Sequence, residues 1–443
     1  MTTTARAGEV ADAPAATADT SAHHENYLSN YSRAVNAAAY DINSGLLGKH
    51  DNVRRFWEDQ INRYMLRAFL ADLVARKRRD LARVRVIDLG CGSGEGYEIL
   101  TNVRKQNVSL ATKEVEVMPT YLIGQYKGVD LSPAMVEKAS ENYAGNERMQ
   151  FEVGDLNDGL PATGEEPPYD VYFSSFGSLS HLDDAGLERV ICDVCDHMGE
   201  TAIFVADMVG RYSYEWQCYW DGPGGDETNM RNYSMSYIYP PDVIDKVEVE
   251  TFPLRYWGGR ELQDFVAAIV ARKGVEIRRQ ELRDRSILVG RHMNTAEFNP
   301  NAQPLRQAVS SLHEFNQRTD LDSLLFDYLP RSGHLELNAF FERFQMAWNG
   351  VVEACMEALK HADNHDKLSE EPPDEYPESV QDAIRTIRDV VRNVRWFRMG
   401  DPLANIVEPQ LGYILRNLEN DLQEGLGAAH GVLGIFELTR PEA

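Results

Sequence analysis

A buried apolar stretch that runs straight into a glycine turn constrains this chain more than any other feature. Val84-Arg85-Val86-Ile87-Asp88-Leu89 reads as a short buried strand, and Gly90-Cys91-Gly92-Ser93-Gly94 follows without a gap. Glycines let a backbone approach a ligand closely, and the helix expected next offers free N–H groups. The dinucleotide spacing G-x-G-x-x-G fails, because Gly90 and Gly92 fit but Glu95 takes the third place. An acid, Asp88, stands two residues before Gly90. It would face a pyrophosphate with like charge, whereas facing an ammonium or sulfonium it would be favourable. The turn therefore suits a cationic ligand better than a phosphate.

Further short apolar runs follow, each ending in a polar or glycine residue. They cover 121–129, ending at Asp130; 149–153, ending at Gly154-Asp155; 169–173, ending in Ser174-Ser175-Phe176-Gly177; and 201–205, ending at Ala206-Asp207. Helical patterns at 133–143 and 184–198 lie between them. Strands alternating with helices imply an α/β fold with a parallel sheet covered on both faces. Residues 275–282 and 286–290 read as two closing strands, so the sheet is expected to be complete near residue 294. Before it, apolar residues from Phe56 to Val74 recur near the helical period, and Arg76 to Arg79 read as that helix's solvated end.

Asp88-Leu89-Gly90-Cys91-Gly92-Ser93-Gly94 resembles the first motif of the class I S-adenosylmethionine-dependent methyltransferases. Gly128-Val129-Asp130-Leu131-Ser132-Pro133 resembles the second-strand end of that family, and Gly154-Asp155-Leu156 the third. Ser174-Ser175-Phe176-Gly177-Ser178-Leu179-Ser180-His181 resembles the fourth-strand segment. The resemblance implies a Rossmann-like sheet of seven mostly parallel strands over 84–294, with S-adenosyl-L-methionine as cofactor. It assigns Asp88, Gly90, Gly92 and Gly94 to the donor loop, and Asp130 with Leu131 to the ribose. Asp155 and Leu156 would read the adenine, and Ser174 would lie beside the methionine part. Residues 102–120 read as an insertion before the second strand.

A carbon or oxygen acceptor must lose a proton on methylation, which asks for a base. His181, just beyond the fourth strand, is the candidate; the alternatives are orienting the acceptor or capping the helix that begins near Asp183. The aromatic segment 210–260 is expected to fold over the acceptor, with Trp216, Tyr219 and Trp220 as its densest part. Core packing is the plainer reading for most of those rings. Tyr27, Tyr31 and Tyr40 resemble the family's lid tyrosines, Tyr40 being the one assigned to the donor, and 23–83 is read as an N-terminal helical lid.

The last third, 295–443, reads as a mainly helical C-terminal domain, with helices at 337–359, 380–394 and 411–422, and one more apolar run at 432–438. It is also the candidate homodimer interface. Residues 363–377 read as an acidic, proline-rich linker. Arg385, Arg388, Arg392 and Arg395 line one helix face and are expected to pair with acids such as Glu370, Glu371 and Asp374.

Charge narrows the acceptor. With 70 acidic residues against 45 Lys and Arg, the net charge of −25 repels polyanions, which disfavours nucleic acid and anionic membrane surfaces as partners. The fourth-strand segment also lacks the Asp/Asn-Pro-Pro-aromatic motif of base methyltransferases. A small-molecule acceptor, in secondary metabolism, is the reading; a protein side chain or a non-catalytic donor-binding scaffold are the alternatives. Residues 1–22 read as a disordered tail without the basic and apolar regions of a secretory signal. Five cysteines in 443 residues point to a reducing cytoplasm, Cys192-x-x-Cys195 reads as core packing, and no metal site is recognisable.

Overall fold

The computed structural model describes residues 49–162, 164–221, 230–239, 244–362, 371–398 and 400–441. The tail 1–22, the lid tyrosines Tyr27, Tyr31 and Tyr40, and most of the linker 363–377 lie outside the described residues.

Alternation along one strand shows how the layers are built. In β5 (Thr201–Gly210), Phe204 and Ala206 join the core on one face of the sheet, and Ile203 and Val205 the core on the other. That is the two-residue period of a strand buried on both sides. One face is covered by α4 (Asp184–His197) and α5 (Gly259–Arg272), through Leu187, Val190, Val194, Leu262 and Val266. The other is covered by α1 (Asp59–Arg79) and α2 (Glu95–Thr101), through Leu66, Phe69, Leu73 and Ile99.

The remaining elements are β1 (Val84–Leu89), β2 (Ile123–Asp130), α3 (Pro133–Asn142), β3 (Met149–Val153), β4 (Val171–Ser174), β6 (Met230–Ser234), β7 (Thr251–Trp257) and β8 (Glu276–Arg285). Then come α6 (Leu305–Ser311), α7 (Leu335–Lys360), α8 (Glu378–Asn393), α9 (Glu408–Leu422) and β9 (Gly431–Thr439). The path β3-β2-β1-β4-β5 is parallel throughout. β9 then pairs antiparallel with β5 along Thr201–Val209, and β8 pairs antiparallel with β9. These seven strands are the mostly parallel α/β sheet that the resemblance implied. Two more form a hairpin, β6 with β7, attached where Val209 and Gly210 pair with Tyr256 and Trp257.

The expected boundary at 294 is corrected by this topology. The strand that closes the sheet is β9, so the helical region is an insertion between β8 and β9. Residues 286–290 form no strand, because their backbone donors serve a helix side chain instead. The Ser286 and Ile287 N–H groups donate to the two carboxylate oxygens of Glu419, on α9, at 2.8 and 2.9 Å. The insertion has its own core, in which Phe341, Trp348, Val351, Ile387 and Leu415 are buried together with Trp57, Tyr214 and Trp220 of the sheet domain.

The expected lid is also corrected in part. α1 packs under the sheet, and of 49–83 only Lys49, Arg54 and Glu58 reach the ligand edge. On α8, Arg385 meets Glu371 and Asp382, Arg388 meets Glu357 and Arg392 meets Asp389, all solvated pairs. The five cysteines are free thiols. Among the described residues no helix is long and apolar enough to cross a membrane.

Candidate active site

The C-terminal edge of the parallel strands opens into a cleft of about 1140 Å³, its mouth included. Its floor is the glycine turn: Gly90 and Gly92 sit at φ +76° and +53°, in the left-handed region that glycine enters without steric cost. Gly90, Cys91 and Gly92 all line the cleft. Asp130, at the end of β2, stands beside them. One of its carboxylate oxygens accepts the Gly92 N–H and the other the Ser132 N–H, both at 2.9 Å. Each oxygen keeps lone-pair capacity for a hydroxyl. Burial lifts the Asp130 carboxyl above its ordinary range, against the pull of those two N–H groups.

A cationic rim lies over the turn. Lys49 contacts Glu95 at 3.1 Å, and Arg54 contacts Asp59 at 2.9 Å. Phe176 adopts φ +56°, and its ring carries the guanidinium of Arg54 at 3.1 Å and that of Arg285 at 4.6 Å. Asp207 fixes this arrangement: its carboxylate takes the Phe176 N–H at 2.7 Å and Arg285 Nη2 at 2.9 and 3.0 Å.

The opposite wall is apolar and aromatic. It consists of Met135, Tyr233, Met235, Tyr237, Phe252 and Leu254, most of them from the β6–β7 hairpin and the turn after β6. His181 lines the cleft beside Phe252, ring centroids 5.0 Å apart. Burial in this wall lowers its pKa to about 3, so its imidazole is neutral. The helix-capping alternative falls to Asp183, whose side chain accepts the Gly186 N–H at 2.8 Å.

Two segments of the insertion close the back of the cleft. Arg291 stands just after β8, and His430 with Gly431 at the start of β9. His430 Nδ1 lies 2.8 Å from Oε2 of Glu215, a carboxylate with no solvent exposure. Ser213 Oγ donates to the same oxygen at 3.1 Å, and the His292 N–H donates to Oε1. Burial opposes the charge on Glu215, but His430 and His292 hold its carboxyl below the usual range. Gly290 makes room for that carboxylate, since a Cβ there would overlap it.

Of the residues expected from sequence, the cleft brings together Gly90, Gly92, Asp130 and His181. Gly94 instead caps α2 in the left-handed conformation. Asp88 is corrected: it shares the parity of Val86, faces α2 and accepts the Tyr126 hydroxyl. Its Oδ1 has no hydrogen-bond partner among the described residues. Ser174 is wholly buried in the sheet, and Leu131 and Leu156 do not line the cleft. Asp155 is also outside it, its Oδ1 taking the Asn157 N–H at 2.8 Å to cap a turn.

Trp216, Tyr219 and Trp220 are corrected as acceptor residues, because none lines the cleft. Trp216 and Trp220 are buried, and their Nε1 groups donate to the carbonyls of Gly210 and Ser213 at 2.9 and 2.8 Å. Tyr219 packs on Tyr256 and Phe298. Sequence reasoning missed Lys49, Arg54, Arg285, Arg291, Glu215 and His430. The signal for His430 was its place directly before the apolar run 432–438; as an antiparallel strand, that run starts at the ligand edge. Among the described residues no cluster of His, Cys, Asp and Glu has the arrangement of a metal site.

A model of the methyltransferase domain family matches residues 115–200. A highly reducing polyketide synthase of Pyrenophora dematioidea is 26% identical over 148 residues, which is 32% of this chain and 5% of the synthase. The chain thus spans a small fraction of that relative's length. Among solved structures, an S-adenosylmethionine-dependent methyltransferase from Clostridium acetobutylicum is 13% identical. It has a TM-score of 0.35, over 57% of this chain and 91% of that one. The CcbJ methyltransferase of Streptomyces caelestis is 16% identical, with a TM-score of 0.30, over 45% and 75%. The match to the methyltransferase domain family covers 115–200, and the glycine turn with the strand order around it is the arrangement that the resemblance to class I S-adenosylmethionine-dependent methyltransferases implied.

Proposed function

We propose that the cleft transfers a methyl group to a small-molecule acceptor held against the β6–β7 hairpin. The observation that carries this reading is the meeting, in one cleft, of the glycine turn and Asp130 with an aromatic wall of Tyr233, Tyr237 and Phe252.

The residues present fit the donor. The glycine turn on the floor of the cleft would take S-adenosylmethionine as donor, and Asp130 offers two acceptor oxygens to its diol. Lys49 and Arg54 would receive a carboxylate. Bound there, the donor supplies an activated methyl on a sulfonium. This chain's work is to orient the acceptor, exclude water and take up any proton released. The aromatic wall does the first two by shape and apolarity. A protein side-chain acceptor predicts an open acidic groove, and the walled aromatic cleft favours the small molecule instead. The match to a polyketide synthase supports an acceptor of natural-product type.

The test is release of S-adenosylhomocysteine when the protein and donor meet panels of small phenols, 1,3-dicarbonyls and amines, with peptides as the contrasting panel. Turnover confined to peptides would overturn the reading.

A further inference from the structure

The helical insertion leaves the sheet at Arg285 and returns at Gly431, and both of its ends line the cleft. At the returning end, His430 is tied at Nδ1 to Glu215, 2.8 Å away. Its Nε2 has no hydrogen-bond partner among the described residues and is not sealed in, and the side chain keeps 14% exposure. The carboxylate behind it is fully buried and fixed by Ser213 and by the His292 backbone. A histidine whose one nitrogen donates to a buried carboxylate presents its other nitrogen as an acceptor. The carboxylate then stabilises the imidazolium that forms on protonation.

We infer that His430, positioned by Glu215, is the proton acceptor of this site, and that its acceptor substrates carry a hydroxyl or an acidic C–H. The step is a proton transfer: the O–H or C–H bond breaks, its electron pair stays on the acceptor atom, and the proton ends on His430 Nε2. The insertion between β8 and β9 is then the element that delivers the base. This rests on the methyltransferase reading, and it assigns the role to His430.

Diethyl pyrocarbonate, which acylates neutral imidazole, tests it without any acceptor, with the sites read by mass spectrometry. His430 is expected to label faster than His181, and at least tenfold more slowly in Glu215→Gln. A His430 that does not label, or labels equally in both proteins, overturns the inference. His430→Asn keeps a donor for Glu215 and removes the base. Its calorimetric affinity for S-adenosylmethionine should stay within threefold of wild type. Turnover of hydroxyl or 1,3-dicarbonyl acceptors should fall at least about 100-fold, the lower end for general-base loss. An equally deep fall in His181→Asn, or full activity in His430→Asn, returns the role elsewhere. Absence of donor binding in the wild type would instead defeat the methyltransferase reading, which separates the two failures.

Discussion

Glu58 and Arg306 are 248 residues apart in the chain and meet at 2.7 Å, neither more than 2% exposed. Arg306 also takes both oxygens of Asp51 at 2.7 and 2.8 Å, so one guanidinium ties the N-terminal turn to the insertion. Removing one partner of a buried pair strands the others without compensation. Arg306→Ala is expected to lose about 3–5 kcal/mol in urea unfolding. A loss below about 1 kcal/mol would show that water reaches the cluster.

Asp88 carries a pH dependence of definite sign. Burial, aided by Glu95 and Asp130 and opposed by the Tyr126 hydroxyl, raises its carboxyl to about 7. An acid raised on folding gives its stability in full below the ordinary carboxyl range near pH 4. That contribution falls as pH climbs to about 7 and is level beyond. Asp88→Asn keeps an acceptor oxygen for Tyr126 and cannot ionise. Thermal unfolding should show the variant gaining on wild type between pH 5 and pH 8, by on the order of 3 kcal/mol at one pKa unit per 1.36 kcal/mol. A constant difference across that range would contradict the assignment.

Asp130 holds the Gly92 and Ser132 N–H groups and faces the cleft. Asp130→Ala removes the acceptor for a diol and loosens the turn together. Hydrogen bonds to a charged group contribute about 1.5–3 kcal/mol each. Calorimetry should therefore find S-adenosylmethionine bound at least about 100-fold more weakly, and unchanged affinity would remove Asp130 from the donor site.

Gly210 lies where the returning loop crosses the end of β5. A Cβ there would overlap the Ala429 carbonyl and come within 2.9 Å of that of Gly427. Backbone on both sides leaves no flexible end to yield. Gly210→Ala should lose about 1–3 kcal/mol, the usual cost of overpacking, and should lower turnover by displacing His430. Wild-type values for both would mean that the loop shifts freely.

A chain ended at residue 294 lacks β9, which pairs with β5 from Thr201 to Val209 and with β8 from Glu276 to Arg285. Two long unpaired edges invite association. Such a chain should elute as aggregate on size exclusion, and a folded monomer would show that the sheet is complete without β9.

The parallel strands and the glycine turn were legible because each is a local pattern: an apolar run, then glycine or an acid. Asp130 and His181 were found by their place at strand ends. What stayed hidden depends on contacts distant in sequence. Glu215 and His430 are separated by 215 residues, and nothing in either neighbourhood marks the pair. Trp216 and Trp220 drew attention by density, yet aromatic density serves a core as well as a pocket. The run at 432–438 carried the apolar signal of a strand, but its partners were set by the insertion before it.

The insertion also fixes an order of events during synthesis. The glycine turn, Asp130 and the hairpin wall are all made before β9, which emerges only after the helices of the insertion. β5 and β8 are thus translated with one edge open, and long-range pairings of this kind are slow to form. The glycine turn and Asp130 thus leave the ribosome long before His430, which closes the back of the same cleft.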